Sequence, residues 1–210
     1  MSPIVGVVLA GGLARRMGGG DKGLIVLQGR PILDHVIERL GPQVDQIVIN
    51  ANGDPGRLAG YELPIVADPM EGFAGPLAGV LAGMEWAARH CPGADWIVTA
   101  ATDTPFFPRD LAARFEQAVE ATSADMACAA SGGRHHPVFG LWPVALGPEL
   151  SQAMTVDGVR KVDVWTARHR LAVAEYAVEP YDPFFNVNRP EDVAEAERIA
   201  QDHIATEHRV

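Results

Sequence analysis

The segment 9–23 reads Leu-Ala-Gly-Gly-Leu-Ala-Arg-Arg-Met-Gly-Gly-Gly-Asp-Lys-Gly, which gathers Gly11, Gly12, Arg15, Arg16 and Lys22 into one short stretch. Glycine lets a backbone turn sharply and brings N–H groups close to an anion. Arginine and lysine add charge and directed hydrogen bonds. Together these residue types have the chemistry of a polyphosphate site. Two common phosphate-loop templates do not fit. A Walker A loop needs Gly-Lys followed by Ser or Thr, but Lys22 stands between Asp21 and Gly23. Gly18, Gly20 and Gly23 satisfy the dinucleotide spacing G-x-G-x-x-G, yet they do not directly follow a strand and the next helix starts only near Pro31.

The elements that must position this loop are legible from periodicity. Ile4-Val5-Gly6-Val7-Val8-Leu9 is an apolar run of strand length leading into the glycines. Ile32, Val36 and Leu40 share a helical stripe behind Pro31, and Gly41-Pro42 ends it. Strands are expected at 46–50, 63–68 and 95–103, with helices at 77–89 and 108–121 between and after them. Further strands are expected at 126–130, 137–142, 171–178 and 184–187, and a last helix from about Pro190 to Gln201. Strands alternating with helices at this spacing imply a three-layer α/β fold of the Rossmann-like kind, a mostly parallel sheet with helices on both faces. Residues 1–202 read as a single domain and 203–210 as a frayed tail.

Ligands of such sheets sit at the carboxyl ends of the strands. The polar residues there are Gly11 and Gly12, Asn50, Asp68, Asp103, and Asn186 with Asn188. Asp103 is a hard oxygen donor of the type Mg²⁺ requires, although an Asp before Thr104-Pro105 also suits an Asx turn. Asn186 and Asn188 are further candidate metal ligands, and Asn188 is equally suited to cap the last helix. Asp68-Pro69 can also simply initiate a turn. His135-His136 is too closely spaced for a usual metal pair, and the four tryptophans read as core.

Composition narrows the classes. A chain of 210 residues, 48% hydrophobic and 21% charged, builds a globular core. Its net charge of −10 repels nucleic acid, so the basic loop is a local exception suited to a small anion. Cys91 and Cys128 form no C-x-x-C pair, which argues against a disulfide framework or structural zinc. No apolar run has the length of a membrane span or the layout of a signal peptide, so the expectation is a cytoplasmic protein without membrane or nucleic-acid partners.

At this point a family resemblance emerges. Leu9-Ala10-Gly11-Gly12, Arg16-Met17-Gly18-Gly19 and Asp21-Lys22 match, position for position, the loop of the molybdenum cofactor guanylyltransferases, nucleotidyltransferases with a Rossmann-like fold. Gly75-Pro76-Leu77-Ala78-Gly79, Thr102-Asp103-Thr104-Pro105, His136-Pro137, Gly158-Val159-Arg160-Lys161-Val162 and 185–192 resemble its later motifs in order along nearly the whole chain. Ala14, Thr102 and Arg189 depart from the usual residues. The resemblance implies transfer of GMP from GTP to molybdopterin with release of pyrophosphate, Mg²⁺ as cofactor, and donor and acceptor enzymes of the same pathway as partners. It casts Arg16, Lys22 and Asp103 as catalytic residues. Leu9, Ala10, Gly11, Gly12, Lys22, Asn50, Asp68 and Asp103 would bind GTP, with Asp68 an acceptor for the guanine donors. Asp103, with Asn186 and Asn188, would hold the metal, and His136, Arg160 and Lys161 would lie on the molybdopterin side. Gly11 in place of Ala favours GTP over the CTP of the related cytidylyltransferases. A GTP-binding adaptor without catalysis is the alternative from another class.

Overall fold

β1 (Ile4–Leu9) is buried along its whole length, as a strand covered on both faces must be. The structure, a computed structural model, describes residues 2–11, 22–70 and 75–204. After Lys22–Leu24, one turn of 3₁₀ helix, β2 (Val26–Leu27) and β3 (Arg30–Pro31) form a small antiparallel hairpin. Gln28 and Gly29, at φ 50° and 75°, supply the left-handed turn that such a two-residue connection needs. The chain then enters α1 (Ile32–Leu40), β4 (Gln46–Asn50), a 3₁₀ stretch at Pro55–Tyr61 and the short β5 (Ile65–Val66). There follow α2 (Pro76–His90), β6 (Trp96–Ala101) and α3 (Leu111–Thr122). β7 (Met126–Ser131) and β8 (Arg134–Pro143) form a hairpin, α4 (Gly147–Thr155) and α5 (Val162–Thr166) precede β9 (Leu171–Tyr176), and α6 (Pro190–Ile199) ends in a π turn at Ala200–Ile204.

The described strands build a seven-stranded sheet in the order β5-β4-β1-β6-β8-β7-β9. β4, β1 and β6 are parallel neighbours, whereas β8 runs antiparallel to both β6 and β7. The sheet is therefore mostly parallel, as expected, with one reversed strand. One face carries α1, α3 and α6 through Leu33, Val36, Phe115 and Ile199; the other carries α2, α4 and α5 through Leu81, Met154 and Trp165. Trp142 and Trp165 are fully buried in that second layer, 5.9 Å apart.

Two glycines set how close α2 comes to the sheet. A Cβ on Gly79 would stand 2.4 Å from Asn50 Oδ1, and one on Gly83 2.5 Å from a methyl of Val7. Four residues apart, they leave one stripe of the helix bare, and it rests directly on β1 and β4. This brings the N-terminus of α2, with its partial positive charge, to the carboxyl edge of the sheet.

Two expectations need correction. Residues 184–187 do not form a strand; Phe185 N–H turns back to Asp182 C=O at 3.1 Å, and Val187 N–H donates to Asp103 C=O at 2.7 Å. The segment is thus a loop tied to the end of β6. Near the third predicted strand only Ile65–Val66 pairs, since the sheet edge leaves the flanking residues without a partner strand. Both cysteines are free, and burial pushes the Cys128 thiol up to about 11. No helix among the described residues is long and apolar enough to cross a membrane.

Candidate active site

The carboxyl ends of β1, β4 and β6 open onto a cleft of about 450 Å³. Leu9, Gly11, Lys22, Asn50, Asp68, Asp103 and Asn186 all line it, so the strand-end residues meet in one place. Ala10, buried behind Gly11, fixes the exit of β1 by donating its N–H to Asn50 C=O at 2.8 Å. Gly12 and Arg16 lie outside the described residues.

On one side of the cleft is an oxygen nest. Lys22 Nζ lies 3.3 Å from Asp103 Oδ2 and donates to Asn188 Oδ1. Thr104, fully buried, donates its hydroxyl to Asn186 Oδ1 at 2.9 Å, with Asp103 Oδ1 next nearest at 3.3 Å. Asp103, Asn186 and Asn188 are therefore linked through Lys22 and Thr104 on that side, brought together by the loop 182–188 folding back onto β6. The expected capping role of Asn188 falls elsewhere. Asp192 accepts the N–H groups of Asn188 and Arg189, both at 2.8 Å, and Arg189 stands at the N-cap of α6. This frees the Asn188 side chain for the cleft.

The opposite side holds a carboxylate clamp. Asn50, buried at the end of β4, donates Nδ2 to Asp68 Oδ1 at 2.9 Å and to Val66 C=O at 3.2 Å. Asn52 donates to the other oxygen, Oδ2, at 2.7 Å, and accepts the Asp68 backbone N–H at 2.9 Å. Both carboxylate oxygens are thus oriented by amides, and each keeps acceptor capacity toward the cleft. Asn52 was not singled out by sequence, although its place two residues beyond Asn50 puts it on the same side of an extended chain. Among the described residues, a Cβ added at Gly11 would meet nothing within 4 Å.

A second cavity of about 580 Å³ adjoins the first, and Gly75 and Pro76 line both. His135, Arg160, Lys161, Asp163 and Thr166 contribute polar lining. Arg160 also orders its own loop, with Nη1 donating to Met154 and Val159 carbonyls at 2.8 and 2.9 Å. A bulge in β8 shapes the wall between the cavities. Register jumps from Cys128↔Gly140 to Ala129↔His136, which leaves 137–139 without partners on β7. Trp142 Nε1 donates to Thr99 Oγ1 at 2.8 Å, and that hydroxyl donates to Val138 C=O at 2.7 Å, pinning the bulge from within the core. His136 does not join Arg160 and Lys161. It is buried on the other face of the sheet, 2.7 Å from Ser131 Oγ and stacked on Phe184 at 4.4 Å; its neighbour His135 lines the second cavity instead. Alternation along β8 sends adjacent residues to opposite faces.

Residues 6–173 match the model of the MobA-like NTP transferase domain. The chain is 58% identical to the molybdenum cofactor guanylyltransferase of Rhodopseudomonas palustris (strain BisB5) over 194 residues, 92% of each chain. It is 55% identical to the protein of that name from Bradyrhizobium sp. (strain ORS 278) over 197 residues, 94% of this chain and 93% of that one. Among solved structures, molybdopterin-guanine dinucleotide biosynthesis protein A from Archaeoglobus fulgidus superposes with a TM-score of 0.72 at 26% identity, covering 94% of this chain and 98% of that chain. Parallel strands ending in a cleft of convergent polar groups, and identity sustained over nearly the whole length, agree: this chain belongs to the MobA-like NTP transferase family, with the molybdenum cofactor guanylyltransferases.

Proposed function

We propose that the protein transfers GMP from GTP to molybdopterin, releasing pyrophosphate and forming molybdopterin guanine dinucleotide. The observation that carries this reading is the joining of two cavities at Gly75-Pro76. One has an amide-oriented carboxylate opposite an oxygen nest, and the other sets the cations Arg160 and Lys161 against the single carboxylate of Asp163. Guanine presents N1–H and N2–H₂ donors, which the Asp68 carboxylate is built to accept. The triphosphate then runs toward Gly11 and Lys22, and the acceptor phosphate enters from the cavity of His135 and Lys161. The terminal phosphate oxygen of molybdopterin attacks the α-phosphorus of GTP; the new P–O bond forms as the α–β bridging bond breaks. The attacking oxygen is already anionic at neutral pH, so no general base is needed. Catalysis rests on positioning and on charge placed where it develops.

The donor set fits a hard divalent cation such as Mg²⁺: the carboxylate of Asp103 and the amide oxygens of Asn186 and Asn188, all oxygen. Lys22 seats its ammonium on Asp103 and Asn188, and a cation held by these oxygens supports the reading. Such an ion supplies Lewis-acid charge neutralisation at a phosphoryl group when bound. With an ion in the nest, the Lys22 ammonium would turn from these oxygens to the phosphates, and Thr104 keeps Asn186 turned into the nest.

Pyrophosphate release with GTP, Mg²⁺ and molybdopterin tests the assignment. Lys22→Ala and Asp103→Ala are each expected to lower turnover by about 100-fold or more while the fold is kept. Near-normal turnover in either variant overturns it. CTP is the competing substrate, and the same assay with CTP decides the base. GTP binding without any pyrophosphate release assigns the chain to the adaptor class.

A further inference from the structure

We propose that His136, Ser131 and Asp182 act as positioning residues that set the loop carrying Asn186 and Asn188, and through it the cation side of the cleft. The inference rests on the reading above that those asparagines face a divalent cation. Ser131, at the end of β7, is 2% exposed and His136 is 6% exposed. Ser131 Oγ lies 2.7 Å from His136 Nε2 and 2.8 Å from Asp182 Oδ1. The hydroxyl has one proton, and a carboxylate oxygen only accepts. Ser131 therefore donates to Asp182, and His136 donates Nε2–H to Ser131. The relay runs one way, from His136 through Ser131 to Asp182.

This order excludes a hydrolytic triad. The serine has no imidazole base, since the imidazole is its donor, and it has no access to solvent. The relay instead ends on the residue that begins the loop. Asp182 Oδ1 also accepts Phe184 N–H at 3.0 Å, and Asp182 C=O accepts Phe185 N–H at 3.1 Å. His136 stacks on Phe184 with the rings 19° apart. The turn is thus held at its start by the relay and at its middle by the stack. Directly after it come Asn186, which accepts from Thr104, Val187, which donates to Asp103, and Asn188, which accepts from Lys22. Two amide oxygens of the nest thus depend on a network on the far side of β8.

The test measures Mn²⁺ binding to the full chain with GTP and no molybdopterin, by the EPR signal of free Mn²⁺. GTP affinity is measured separately in EDTA. His136→Phe keeps the aromatic stack but removes the donor, and Ser131→Ala removes the relay. Each is expected to weaken Mn²⁺ binding by about fivefold, the scale of one lost buried hydrogen bond. Metal-free GTP affinity should stay within about twofold, because the Asp68 clamp is untouched. Asp182→Asn keeps an acceptor oxygen for Ser131 and Phe184 and is expected to bind Mn²⁺ like the parent. Unchanged Mn²⁺ affinity in His136→Phe overturns the proposal, as does a metal-free GTP affinity that falls in parallel. Asp103→Ala separates the two levels: if it leaves Mn²⁺ binding intact, the cation reading itself fails, whereas loss there with no loss in His136→Phe refutes only the positioning role.

Discussion

Asp68 illustrates how single residues in this cleft acquire roles from their partners. A lone carboxylate at a strand end can be a turn former, but here two amides orient both of its oxygens. Asn50 is buried and structurally tied to Val66, whereas Asn52 is exposed and, among the described residues, hydrogen-bonds only to Asp68. Asn52→Ala should therefore leave folding intact and loosen the base acceptor. Losing a hydrogen bond to a charged group costs about 1.5–3 kcal/mol, so the expected result is a KM for GTP raised roughly tenfold or more with kcat nearly unchanged. Steady-state kinetics at saturating molybdopterin checks this; a fall in kcat with constant KM would place Asn52 in the chemistry instead. Asn50, Asp68 and Asp103 were legible as a set because the ends of parallel strands converge by topology. Asn52 and Thr104 were not, because their roles come from the partners they meet in the fold, 16 and 82 residues away in sequence.

At the scale of elements, the approach of α2 to β1 and β4 decides where the cleft wall stands. Gly79 is the tightest point, with Asn50 Oδ1 and a methyl of Leu9 inside the space a Cβ would need. Gly79→Ala must push the helix away or turn Asn50 aside. Overpacking of this kind costs about 1–3 kcal/mol, a drop in Tm of about 3–10 °C for a chain of this size. The Asp68 clamp should weaken with it, so GTP affinity falls together with stability. Gly11→Ala is the control: among the described residues its Cβ meets nothing within 4 Å, and its Tm should stay within about 1 °C of the parent. Thermal melts of the two variants decide whether contact or mere loss of glycine matters. The helices and parallel strands of the first half were readable from apolar periodicity alone. β8 was harder, since its reversal and bulge depend on pairing partners, Thr99 and β7, that no local pattern specifies. The resemblance set His136 on one side with Arg160 and Lys161, and it carries no register, which is what decides the face a residue of a bulged strand takes.

Across the whole molecule, the buried His136 ties stability to pH in a definite direction. Burial holds its pKa below the ordinary 6.5, the charges of Asp182 and Glu175 favour protonation, and those of Arg134 and His135 oppose it. With the folded pKa below the unfolded one, the unfolded chain binds more protons in the window between them. Stability is then full above about pH 6.5 and is lost as pH falls through that window toward the folded pKa. The exposed Asp125–Arg170 pair acts at a different pH. Asp125 is held down to about 2 from 3.8 by the Arg170 hydrogen bonds, so its contribution is lost only as pH falls through that lower range. Between pH 7 and 5 the two effects do not overlap. Urea unfolding of the parent and of His136→Phe at pH 7 and pH 5 isolates the histidine, since every other titrating group cancels in the difference. The parent should lose more stability on acidification than His136→Phe does. Equal losses in the two proteins would show that His136 is protonated as readily in the folded chain as in the unfolded one, and that its surroundings are wetter than the stack on Phe184 and the bond to Ser131 describe.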